Sequence, residues 1–266
     1  MADSRFVKDF LAVFQKFNYR YSKWEVWNDF LYVAATSMAN MVPVPEREER
    51  EQRYLSTINK YPEELRDCFP EMLAIVTLAL DANPEQDFLG SIYHRLQLYQ
   101  EQKGQFFTPY HISHFMAEIN MVGADVEEER KRKGFISVSD PACGAGAMLI
   151  AFANVAKAHG INYQKEVLFF GQDIDSTAAL MCYVQLSILG CPAIVIVGDS
   201  LVKPDFHPDN DIWYTPFYYL NHWRFQGFFG TNEEADDADV IVDKTEIEKY
   251  AEEVGGQMML NFQNAS

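Results

Sequence analysis

The stretch 135–148, FISVSDPACGAGAM, decides the fold of this chain. Its first six residues alternate β-branched or aromatic side chains with serines and end in Asp140, which reads as a short strand. A turn holding Gly144 and Gly146 follows, then the helical run AMLIAFANVAKAHG (147–160), which Gly160 closes. Strand, glycine turn and helix in that order bring backbone N–H groups and a helix N-terminus to one edge of a sheet, where a ligand can approach closely.

The same unit recurs downstream. EVLFFGQD (166–173) and AIVIVGD (193–199) are apolar strands that end in acids, and the helix STAALMCYVQLSILG (176–190), closed by Gly190, lies between them. Strands alternating with helices predict parallel strands buried on both faces, joined by right-handed crossovers. The glycine-turn strand is expected innermost of the three. Asp140, Asp173 and Asp199 then share the carboxyl edge, where open α/β sheets bind ligands.

Upstream, residues 1–100 read as helices. Phe6, Phe10, Val13, Phe14 and Phe17 fall on one helical face, and Ser22 with Glu25 forms a capping box. Three regions are expected: a helical part at 1–100, a cofactor-binding domain at 101–230, and an acidic tail at 231–266. The segment 232–253 alone carries ten acidic and two basic residues.

Bulk properties restrict the function. The chain has 266 residues, 48% of them hydrophobic, and a formal net charge of −17. Duplex-binding surfaces neutralise phosphates with Lys and Arg, so this chain alone is not expected to hold DNA. No run approaches the ~18 apolar residues of a membrane span, and the first residues lack a signal peptide's apolar centre. The four cysteines (Cys68, Cys143, Cys182, Cys191) show neither a CxxC pair nor zinc spacing, as in free thiols of a cytoplasmic protein with no metal site.

The glycine turn also restricts the ligand. Leu149 stands where a dehydrogenase fingerprint has its third glycine, and no GK[ST] follows, so nucleotide phosphates fit poorly. An adenosine ligand without phosphate, S-adenosylmethionine, fits better, with Asp173 placed for ribose hydroxyls.

Four segments in order, GQFFTP (104–109), DPACGAGAM (140–148), GQDID (171–175) and GDSL (198–201), resemble the consecutive motifs of N6-adenine DNA methyltransferases, most closely the modification subunit of type I restriction systems. The resemblance implies a Rossmann-like S-adenosylmethionine-dependent methyltransferase sheet with a helical N-terminal region. It assigns Phe107, Thr108 and Pro109 to the methionine portion of the cofactor, and Asp140, Ala142, Gly144 and Gly146 to the turn beneath it. Asp173 would bind the ribose, Ile174 would pack on the adenine, and Asp199 would accept from the adenine amino group beside Ser200 and Leu201. The family usually carries Glu where Asp173 stands, so the acceptor is kept on a shorter arm.

The resemblance also implies an Asn-Pro-Pro-aromatic loop after the next strand, whose acceptors hold the amino group of a flipped adenine. The best match is YTPF: Tyr214, Thr215, Pro216 and Phe217. Read as that loop, Phe217 faces the cofactor cleft and Tyr214 fills the space of the flipped base, so the isolated chain transfers little methyl to DNA. Three readings follow, each compatible with an oligomer: an N6-adenine methyltransferase that reaches DNA through a basic specificity subunit, an inactive cofactor-binding sensor or assembly subunit, and an acidic DNA-mimic or partner-binding protein built on a decayed methyltransferase.

Overall fold

The computed structural model describes residues 4–18, 20–44, 46–98, 107–122 and 124–220. They lie within one compact unit, Met1–Gln226. The acidic tail expected at 231–266 lies outside the described residues, as do positions 104–106 of the first family motif and the junction near residue 100.

The helical region runs α1 (Ser4–Gln15), α2 (Lys23–Ala39), α3 (Arg47–Ile58), the short α4 (Glu63–Arg66), α5 (Cys68–Ala82) and α6 (Phe88–Arg95). The predicted apolar face of α1 is its buried one: Phe10, Val13, Phe14 and Phe17 are all core. Phe10 meets Trp27, Phe30 and Phe88 edge-to-face, so aromatic packing gathers α1, α2 and α6. The N-cap half of the capping box forms: the Ser22 hydroxyl accepts from Glu25 N at 3.1 Å.

The α/β part runs α7 (Tyr110–Val122), α8 (Ala124–Lys133), β1 (Ile136–Asp140), α9 (Ala147–Ala158), α10 (Tyr163–Glu166), β2 (Val167–Asp173), α11 (Ser176–Ile188), β3 (Ala193–Val197), β4 (Asp211–Tyr214) and α12 (Pro216–Leu220). β1 pairs parallel with β2, and β2 parallel with β3, with Val138 opposite Phe169 and Gly171 opposite Val195. Gly160 and Gly190 take left-handed φ values of 79° and 71° directly after α9 and α11, the helix stops read from sequence.

Two expectations need correction. The strand order is β1-β2-β3-β4, so β2 and β3, not the glycine-turn strand, are inner among the described residues. In addition β4 joins β3 antiparallel, with Asp211 opposite Val197 and Tyr214 opposite Ile194. The chain reverses through residues 198–210 and returns along the far side of β3, and this reversal governs where the YTPF segment lies.

The helical region and the sheet pack directly. α11, buried along most of its length, lies against β2 and β3 on one side and against α2, α5 and α6 on the other. Asn154 on α9 donates to the carbonyl of Pro84 at 2.9 Å, and Arg50 on α3 donates to the carbonyl of Ile212 in β4 at 2.7 Å. Among the described residues, no helix is long and apolar enough to cross a membrane, and no cluster of His, Cys, Asp and Glu could hold a metal ion.

Candidate cofactor site

At the carboxyl ends of β1 and β2 lies a cavity of about 450 Å³. Phe107, Thr108, Asp140, Ala142, Gly144, Asp173 and Ile174, all predicted from sequence, line it. A volume of this order suits a drug-sized or cofactor-sized ligand.

The turn that floors the cavity is held from several directions. Asp140 Oδ1 accepts from Ala142 N at 3.1 Å. Asp173 accepts from Gly144 N through Oδ2 at 2.8 Å and from Asp175 N through Oδ1 at 2.9 Å. The carboxylate at the end of β2 therefore fixes the glycine turn after β1, and each oxygen keeps a lone pair for a ligand hydroxyl. Gly144 and Gly146 sit at φ 54° and 94°, a region that side chains disfavour. A Cβ on Gly144 would meet the Phe107 ring at 2.9 Å, and one on Gly146 would meet Cys182 Sγ at 2.8 Å. Both glycines are demanded by conformation and by close packing.

The electrostatics select the ligand's charge. Burial pushes the carboxyls of Asp140 and Asp173 above the ordinary carboxylate range, and the charge of Asp140 adds to the rise at Asp173. Among the described residues the cavity lining includes these two carboxylates and no Lys, Arg or His. A ligand with phosphates would meet repulsion there, whereas a cationic one would relieve that between the carboxylates. Ile174, 71% exposed, offers a bare apolar surface at the rim. Cys143 also lines the cavity, and its neighbour Cys182, together with burial, holds its thiol well above the usual range, which disfavours the thiolate.

Other predicted residues lie elsewhere. Pro109 leads into α7, its carbonyl accepting from Ile112 N and Ser113 N, and Gly146 lies beneath the cavity as the N-cap of α9. Neither lines the cavity, nor do Asp199, Ser200 and Leu201. Asp199 closes the turn after β3, its Oδ1 accepting from Leu201 N at 2.9 Å and Val202 N at 3.1 Å.

The YTPF segment is at the opposite edge of the sheet. Because β4 runs antiparallel, its carboxyl end lies beside the amino end of β3, away from the cavity. Thr215, fully buried, donates its hydroxyl to the Cys191 carbonyl at 2.7 Å and accepts from Ala193 N at 2.8 Å. The Tyr214 carbonyl accepts from the Tyr183 hydroxyl, the Tyr214 ring stacks on Tyr218 at 5.1 Å, and the Phe217 ring approaches Gly190. The expectation that Phe217 faces the cofactor cleft and that Tyr214 fills an adenine site is corrected: strand direction carries both away from the cavity.

Reading by motif missed residues that also line the cavity, among them Met116 and Asn120 on α7 and Val138 on β1. The helical spacing of α7 carried the signal. Ser113, Ala117 and Met121 form its buried face, while Ile112, Phe115, Met116, Ile119 and Val122 lie exposed along the other.

The sequence profile of the N-6 DNA methylase family matches residues 84–246. Over 127 residues the chain is 27% identical to the type I restriction enzyme MjaVII methylase subunit of Methanocaldococcus jannaschii, a match covering 45% of this chain and 20% of that subunit. The chain thus aligns with about a fifth of its relative's length. A solved structure from Listeria monocytogenes, assigned as a class I S-adenosylmethionine-dependent methyltransferase, is 12% identical, with 85% of this chain and 71% of that one covered and a TM-score of 0.38.

Proposed function

This chain belongs to the N-6 DNA methylase family. We propose that it binds S-adenosylmethionine in the cavity above the glycine turn, as the cofactor-holding part of a restriction-modification type adenine methylation system. The single observation that carries this reading is the cavity built on Gly144, Asp140 and Asp173, whose lining among the described residues holds carboxylates and no cationic side chain. The sulfonium and amino group of the cofactor are positive and suit that lining. Asp173 would receive the ribose hydroxyls, Ile174 would pack on the adenine directed toward Asp199, Ser200 and Leu201, and Phe107, Thr108 and Pro109 would border the methionine portion. When bound, the cofactor supplies an electrophilic methyl group.

The position of YTPF favours the reading in which this chain binds cofactor without itself methylating DNA. Acceptors for an adenine amino group must lie within hydrogen-bond reach of that base. Tyr214 to Phe217 are at the wrong edge of the sheet for this. With a net charge of −17, contact with DNA is assigned to a basic specificity-type partner, and the protein to the cytoplasm.

Titration calorimetry with S-adenosylmethionine tests the proposal. A saturable 1:1 isotherm is expected from the purified chain, with no N6-methyladenine formed on unmethylated DNA. Absence of binding would overturn the cofactor assignment. Methylation by the chain alone would overturn the assignment of a non-transferring role.

A further inference from the structure

Gln185 lies on the inner face of α11, fully buried, and does not line the cavity. All of its hydrogen-bonding capacity is directed at two places. Its Nε2 donates to the Ala145 carbonyl in the glycine turn at 2.8 Å and to Asp87 Oδ1 at 2.9 Å. Its Oε1 accepts from Leu89 N, in the first turn of α6, at 3.0 Å. Asp87 is the N-cap of α6 and also accepts from Gly90 N at 2.8 Å.

These bonds matter because the Ala145–Gly146 peptide has only a few ways to be held. Its N–H donates to the Cys143 carbonyl at 2.8 Å, and its C=O receives Gln185. Ala145 is buried, so without that donor its carbonyl would be left unpaired in the core, a state the chain would escape by rotating the peptide. Rotation would re-aim the dipoles beneath the cavity and pull Gly144 from Asp173. α6 grips the turn a second time: Tyr93 and His94 each hold the Phe107 ring with centroids 5.4 Å apart, and that ring covers Gly144.

We propose that Gln185 is a positioning residue of the cofactor turn, through which α6 of the helical region sets the backbone beneath the ligand. This rests on the cofactor reading above. Polar groups locked by their own partners hold a site more tightly than packing alone.

The test compares Gln185→Met, similar in length and without hydrogen-bonding groups, with Leu80→Ala, a buried helical-region change matched for loss of thermal stability. Calorimetry should show at least a tenfold loss of S-adenosylmethionine affinity in Gln185→Met and less than a twofold loss in Leu80→Ala. Equal losses in the two variants, or wild-type affinity in Gln185→Met, would overturn the proposal. Hydrogen exchange on the ligand-free protein separates this outcome from failure of the cofactor reading. The peptide spanning 141–149 should exchange at least tenfold faster in Gln185→Met, with β2 and β3 unchanged. No cofactor binding by the wild-type chain, with that local acceleration still present in Gln185→Met, would sink the function and leave Gln185 as the brace of the turn. Uniform acceleration along the chain, or none, would sink the brace.

Discussion

The two edges of this sheet carry comparable amounts of polar and aromatic chemistry and use it in opposite ways. At the carboxyl edge of β1 and β2, Asp140 and Asp173 bond to backbone N–H groups while still facing an open cavity. At the other edge, the Tyr183 hydroxyl donates to the Tyr214 carbonyl, and the Thr215 hydroxyl bonds the Cys191 carbonyl and Ala193 N before and at the start of β3. The first edge keeps acceptor capacity for a ligand. The second spends its capacity on fixing the end of β4 against β3 and α11. The start of β4, opposite Val197, is tied instead to the helical region: buried Arg50 lies 3.8 Å over the Trp213 ring and pairs with Asp211 at 2.9 Å. A motif-like string of residues acquires a functional meaning only from the edge on which the topology sets it.

This contrast is open to attack, beginning with the largest expected effect. Gly146→Val should disrupt both fold and binding. It forces a β-branched residue into φ 94° with Cys182 within 3 Å, and such strain costs about 1–3 kcal/mol before the clash is counted. Thermal denaturation should show a fall of many degrees and calorimetry no binding; a stable variant that binds would mean the turn is not the floor of the site.

Asp173→Ala should act on binding and much less on folding. Loss of a charged acceptor is worth about 1.5–3 kcal/mol, so S-adenosylmethionine affinity should fall at least tenfold while the melting temperature moves little. The mirror image is Arg50→Met. It should lower stability by about 2 kcal/mol, below the usual range for a broken buried pair because the abandoned Asp211 is half exposed, and leave cofactor affinity intact. If Arg50→Met weakened binding as much as Asp173→Ala does, the anchoring of β4 would not be functionally separate from the cavity.

Acidification should produce a graded effect. Asp140 and Asp173 have carboxyl pKa values raised by burial, so they take up protons at a higher pH than free carboxylates do. The protonated pair lacks the charge that attracts a cationic ligand. Affinity should therefore hold at neutral pH and decline as pH falls, beginning above the ordinary carboxylate range. A flat profile down to that range would remove the electrostatic argument. The smallest effect is expected from Tyr214→Asn, which should alter cofactor affinity by less than twofold and confer no adenine methylation, since the new amide would still face the wrong edge.

Much of this was legible in the chain. Gly144, Gly146 and the acids ending the first two strands marked the cavity, because a tight turn at a strand end has few alternative sequences. The direction of β4 left only a partial trace. Residues 198–210 contain Pro204 and Pro208 and no helical period, whereas a return to a parallel strand usually runs through a helix. A proline-broken link without a helix favours an antiparallel return, and resemblance to a catalytic loop obscured that sign.

The sequence by itself determined the local units: where helices begin and end, which strands are apolar, and which turn must be glycine. Each follows from near-neighbour sterics and periodicity. Only the tertiary structure decided that β1 lies at the margin of the sheet among the described residues, that YTPF closes the edge away from the cavity, and that Gln185 ties α6 to the turn. These depend on strand order and on partners 96 and 98 residues away, Leu89 and Asp87 for Gln185. No periodicity records such pairings, because burial rewards any amide that finds its partners, whatever their distance along the chain.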